Sequence, residues 1–87
     1  MTTPSTRDLK ARAQKLKPVI HIGHDGISPG VVASLDQALS DHGLVKVRFT
    51  DWKDRRRELS AELGSRTSSR LVLLVGHTAT FHRAPAA

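Results

Sequence analysis

Residues 21–28 hold the side chains whose type and spacing could do chemistry: His21, His24, Asp25 and Ser28, with glycines at 23 and 26 bracketing the middle pair. Two glycines around two polar residues let the backbone turn sharply and come close to another molecule. Ser28 suits the N-cap of a helix, and Pro29 suits its first position, where a missing N–H costs nothing. Such a loop offers exposed backbone N–H groups beside the positive end of a helix dipole, a ready site for phosphate.

Other chemistries fit these residues less well. His21 and His24, with His77 and His82 elsewhere, suggest zinc, but a zinc site needs three or four converging ligands. Strand alternation would turn His21 away from its neighbours. Ser28, His24 and Asp25 are too close in sequence to form a hydrolytic triad without strain. The expectation is therefore no metal, no cofactor and no catalysis.

Composition narrows the partner. The chain has 87 residues, a formal charge of +6 and a pI near 10.9, pointing to one small domain with an anionic partner, RNA, DNA or a membrane surface. No run of eighteen apolar residues exists, and residues 1–4 show no apolar signal region, so a soluble cytoplasmic protein is expected. Cysteine is absent, which excludes disulfides and thiolate sites. Only Phe49, Trp52 and Phe81 are aromatic, which weighs against single-strand binding on a platform of stacked rings.

The elements that must hold the glycine turn follow from periodicity. Ser5 and Asp8 form a capping-box pattern for a helix to about Leu16, with Leu9, Ala13 and Leu16 inward and Arg7, Lys10, Lys15 and Lys17 outward or at the edge. Pro18 ends it, and residues 19–22 form a strand. A second helix spans residues 29–42, its apolar stripe being Val31, Val32, Leu35, Ala38 and Leu39, and Gly43 stops it. Residues 44–50 alternate, with Val45, Val47 and Phe49 inward and Lys46 and Arg48 on a wet, basic face.

Asp51 is expected to cap a third helix over residues 52–63, closed by Gly64, with Trp52, Leu59 and Leu63 along one side and Arg56 at its margin. A polar loop over 65–69 leads to the apolar run 70–75, expected as a strand buried on both faces. Gly76 and His77 suit a two-residue hairpin into a last strand over 78–83. The order α-β-α-β-α-β-β predicts an α/β fold with a four-stranded mixed sheet packed by helices, one domain over residues 5–83, with 1–4 and 84–87 loose.

The words of this chain resemble a known family. Leu16-Lys17-Pro18-Val19-Ile20, Ile22-Gly23-x-x-Gly26, Leu44-Val45-Lys46-Val47 and the ending Val75-Gly76-His77-Thr78…Phe81-His82-Arg83 are similar to the CRM domain, over roughly residues 6–83, and most of all to its single-domain bacterial YhbY-type members. The resemblance implies an RNA-binding fold similar to the C-terminal domain of bacterial translation initiation factor 3. It also implies association with precursors of the large ribosomal subunit, as in the bacterial members; plant members act in organellar intron splicing. The family's glycine loop falls on Gly23, His24, Asp25 and Gly26, and resembles the backbone-clamping loop of KH domains.

This chain departs from the usual Lys, Arg, Ser or Asn between those glycines. Asp25 sets a negative charge near an incoming phosphate, unless it serves to stiffen the turn. His24 donates best when protonated, so binding is expected to sharpen in mildly acidic solution. The expected site is Gly23, His24, Asp25, Gly26 and Ser28 gripping the RNA backbone, with Lys10, Lys15, Lys17, Arg55 and Arg57 adding attraction. Trp52 is expected at the core margin rather than stacked on a base. The rivals are a basic protein-interaction module on the ribosome and a small His-dependent ribonuclease.

Overall fold

In the computed structural model, which describes residues 6–84 (Lys53 by its backbone alone), the chain runs α1 (Thr6–Lys15), β1 (Ile20–Ile22), α2 (Pro29–His42), β2 (Leu44–Phe49), a 3-10 turn (Lys53–Arg55), α3 (Arg56–Arg66), β3 (Arg70–Val75) and β4 (Thr78–His82). Ser5 and the expected loose ends at residues 1–4 and 85–87 lie outside the described residues; Ala84 is exposed and belongs to no element.

The sheet has the order β1-β2-β4-β3. β1 is parallel to β2, while β4 is antiparallel to both β2 and β3. This is the expected α/β fold with a mixed sheet. The hairpin strand β4 inserts between β2 and β3, so the α3 crossover joins strands that are not neighbours.

The two faces of the sheet carry unequal cores. On one, Leu35 and Leu39 of α2 and Leu63 of α3 meet Ile22, Val45, Val47, Phe49, Ala79 and Phe81, all essentially buried. On the other, α1 sets Leu9 against Leu44 and Val72, with Leu16 and Leu73 beside them. The helical stripes expected of α1 and α2 thus face the sheet, Val31, Val32, Ala38 and Leu16 from half-buried positions. Gly43 ends α2 in the left-handed region, at φ 75°, and its N–H returns to the Leu39 carbonyl.

Three expectations are corrected. α3 begins at Arg56, not at residue 52, because Trp52 has φ 62° and ψ 37°, a left-handed residue that no α-helix includes. It also runs past Gly64 to Arg66. Gly64 is there for space: a Cβ would stand 3.2 Å from the Ser69 carbonyl and 3.5 Å from the Phe81 ring. The stop comes from Thr67, whose N–H and hydroxyl both donate to the Leu63 carbonyl. Third, β3 is an edge strand. Its apolar run covers both faces because a register shift between Leu71 and Leu73 sends Leu71 and Leu74 to the larger core and Val72 and Leu73 to the smaller. Within β3 only Val72 is buried, and Val75 is 57% exposed.

Past β4, Arg83 ties the layers together. Its guanidinium donates to the Asp36 carboxylate (2.6 Å) and carbonyl, to the Ser40 hydroxyl and to the Thr67 carbonyl. It thus joins α2 to the end of α3. Gly64→Val is expected to lose about 1–3 kcal/mol by overpacking, seen as a lower midpoint in urea with an unchanged slope. Wild-type stability would mean that α3 and Phe81 do not approach as closely as described.

Candidate nucleic-acid interface

Parallel pairing places the ends of β1 and β2 side by side, with Ile22 opposite Phe49. The N–H and hydroxyl of Thr50 both donate to the Ile22 carbonyl, at 2.9 and 3.1 Å. The β3–β4 turn comes to the same end, since Thr78 is opposite Arg48 and the Phe49 N–H donates to the His77 carbonyl (2.7 Å). One end of the sheet therefore gathers the 23–28 loop, residues 50–52 and the Gly76-His77 turn.

The loop is a tight turn followed by a capped helix. Gly26 N–H donates to Gly23 carbonyl at 3.0 Å, and Ser28 N–H to Gly26 carbonyl at 3.1 Å. Gly26 sits at φ 65°, where an L side chain is strained. The Ser28 hydroxyl accepts from Val31 N–H at 3.2 Å, and Pro29 opens α2, as expected. These bonds consume the Gly26, Ser28 and Val31 donors. Among the described residues, the His24, Asp25 and Gly30 amides have no partner within the chain. The presented donor set is thus smaller than the loop's sequence suggests. His24 and Asp25 are exposed, the His24 side chain at 93%.

Trp52 holds the turn from the side. Its indole N–H is shared between the Gly23 and His24 carbonyls, at 3.1 Å each. The ring edge lies over Gly26, where a Cβ would meet Nε1 at 3.5 Å. Asp51, expected to cap α3, instead accepts from the Trp52 N–H (2.8 Å) and faces His24 Nδ1 at 3.8 Å. The left-handed conformation at so bulky a residue costs about 1–2 kcal/mol, offset here by the shared indole bond. Trp52 is therefore not in line with Leu59 and Leu63 at the core margin. It is 37% exposed and forms one side of a shallow cleft with Thr50, Asp51, Asp54 and Arg55. Nothing local in the sequence points to this role, because the partners lie 28 and 29 residues away.

The expected cations fall into two groups. Arg55 borders the Trp52 cleft and pairs with Glu58 at 3.3 Å, and Arg57, exposed near the start of α3, lines a neighbouring hollow with Asp54, Arg56 and Leu74. Arg48 and His21, opposite each other in β2 and β1, are exposed on the sheet face turned away from the larger core. Lys10, Lys15 and Lys17 are exposed, but α1 lies on the other face against Leu44, the first residue of β2. Lys17 precedes β1, whereas the turn follows it. The α1 lysines and the turn are thus separated by the length of β1, so the cations do not form one ring around the loop. Asp25, Asp51 and Asp54 add negative charge at the turn itself.

Among the described residues there is no group of three or more side chains that could hold a metal, and no helix long and apolar enough to cross a membrane. The two glycines are not equivalent. Gly26→Ala is expected to destabilise by about 1–2 kcal/mol through its positive φ. Gly23→Ala, whose Cβ would meet only the Thr50 hydroxyl at 3.6 Å, is expected to cost under about 1 kcal/mol. Chemical denaturation of both variants checks this, and equal losses would refute the asymmetry.

The chain has relatives along nearly its whole length. A protein of Pseudomonas aeruginosa, named as a probable RNA-binding protein, is 36% identical over 84 residues, covering 95% of this chain and 81% of the relative. An RNA-binding protein of Haemophilus influenzae is 33% identical over 87 residues, covering 95% and 88%. The solution structure of a hypothetical Staphylococcus aureus protein superposes with a TM-score of 0.81 at 27% identity, covering 94% of this chain and 86% of that one. The family model for the CRS1/YhbY (CRM) domain, a non-enzymatic family, matches residues 1–83. With the sheet order, the glycine turn at the mouth of α2 and these matches, the chain belongs to the CRS1/YhbY (CRM) domain family.

Proposed function

We propose that this protein binds RNA through the end of the sheet that carries the 23–26 turn, and that its RNA is ribosomal RNA in precursors of the large subunit, bound during assembly in the cytoplasm. The observation that carries the reading is the turn itself: the amides of His24 and Asp25 have no partner within the chain among the described residues, and both side chains are exposed. With the first turn of α2 beside them, they suit the oxygens of a sugar–phosphate backbone. A formal charge of +6 supplies the long-range attraction. The names of the P. aeruginosa and H. influenzae relatives support RNA as the ligand. The resemblance to YhbY-type proteins supports the large-subunit precursor.

Arg55 and Arg57 are the cations placed to assist at the turn. Lys10, Lys15 and Lys17 then engage a more distant stretch of the same RNA, which orients it across the domain. Asp25 opposes phosphate by charge and tempers the grip. Ser28 contributes through the helix cap, keeping the loop in shape.

Three outcomes test this. Affinity for structured RNA is expected to fall about 40- to 500-fold between 50 and 200 mM salt, for about three to five phosphate contacts at the duplex slope; a flat response would count against a phosphate-dominated interface. Gly23→Asp, which meets no backbone obstacle, is expected to abolish co-sedimentation with large-subunit precursors and keep its thermal midpoint. Gly26→Asp is unsuited to this test because of its positive φ. Asp25→Lys is expected to tighten binding about three- to tenfold at low salt by reversing one charge. No change would place residue 25 away from the RNA. RNase treatment of a pull-down distinguishes this reading from a protein-interaction module, which would survive it.

A further inference from the structure

We propose that Trp52 is a stacking site for one unpaired RNA base, next to the position where the 23–26 turn holds the backbone. The inference rests on the RNA-binding reading and adds to it a ligand class, an unpaired nucleobase, and a residue that reads it.

Three observations support it. Among the described residues, Trp52 is one of three exposed large apolar side chains, and the others, Val19 and Val75, are aliphatic. Its ring is already immobilised: the indole N–H is divided between the Gly23 and His24 carbonyls, and the ring edge covers Gly26, which has no Cβ to obstruct it. A base stacking on the remaining surface would therefore order nothing further in the protein. Finally, the ring borders the cleft that also contains Arg55, whose cation suits the phosphate of a neighbouring nucleotide.

The juxtaposition gives the site its chemistry. The Gly23 and His24 carbonyls point at the indole, so the His24 and Asp25 N–H groups of the same trans peptides point to the other side of the turn, and RNA held there reaches the ring with the base of a neighbouring nucleotide that crosses the turn. Stacking tolerates any base, since each has a π-face. Paired bases inside a helix have no free face, so the site selects looped, bulged or single-stranded RNA over blunt duplex. The left-handed backbone at Trp52, at φ 62°, is the kind of strain that concentrates at functional sites.

The chain has one tryptophan, so its fluorescence reports on this ring alone. The experiment titrates wild type, Trp52→Phe and Trp52→Leu with a labelled RNA hairpin bearing an unpaired loop and with a blunt RNA duplex. Both variants lose the indole N–H and carry the same left-handed backbone, so the difference between them isolates the ring. Wild-type fluorescence is expected to be quenched by the hairpin and little changed by the duplex. Trp52→Leu is expected to bind the hairpin about five- to hundredfold more weakly than Trp52→Phe, which keeps an aromatic face. Thermal midpoints confirm that both variants fold. Equal weakening in both would show that the indole acts only by bracing the turn, and would overturn stacking. RNA binding without quenching, and unaffected by Trp52→Leu, would also overturn it while leaving RNA recognition standing. Absence of RNA binding by the wild type would overturn both readings.

Discussion

The parallel pairing of β1 with β2 is the constraint on which the end of the sheet carrying the 23–26 turn depends. A parallel pair needs a crossover, and α2 is that crossover. Because the two strands run together, they end together, at Ile22 and Phe49. The loop leaving β1 and the segment leaving β2 are therefore forced against each other. Thr50 then bonds the Ile22 carbonyl, and Trp52 bonds the next two carbonyls along, those of Gly23 and His24. Three consecutive carbonyls at the end of β1 are thus held by the segment that follows β2. An apparently free surface loop becomes a supported one, with its outward-facing amides preset.

That support changes how the electrostatics of the site are read. Total charge is strongly positive, yet Asp25, Asp51 and Asp54 lie at the turn or beside it. The proposed function therefore assigns long-range attraction and local grip to different residues. In the proposed binding mode, cations spread over α1, β2 and α3 draw a polyanion in, while the grip falls to backbone dipoles, which carry no counterion. Asp51 has a second use, accepting from the Trp52 N–H and so stabilising the strained residue that anchors the loop.

Much of this was legible in the chain. Ser28-Pro29 and Gly43 mark both ends of α2 because caps are local: the groups that satisfy a helix end are within four residues of it. The alternation of Val45, Val47 and Phe49 against Lys46 and Arg48 placed β2 for a similar reason, since side chains change face at every residue. The third helix departs from its local signals at both ends. Asp51 and Gly64 are good local signals for a cap and a stop, but Asp51 is drawn to Trp52 and His24, and Gly64 is required where α3 approaches Ser69 and Phe81. In each place a contact distant in sequence takes part, the Trp52 indole on Gly23 and His24 at one end and the Phe81 ring against Gly64 at the other.

The amino-acid sequence by itself determined the elements, their order, the two apolar stripes that face the sheet and the glycine turn at the mouth of α2, because each depends on periodicity or on neighbours a few residues apart. Only the tertiary structure decided the rest. It inserted β4 between β2 and β3, made β3 an edge, separated the α1 lysines from the turn, and brought Trp52 to the carbonyls of Gly23 and His24. These are matters of strand pairing and sheet face, and they join residues whose separation along the chain carries no periodic signal.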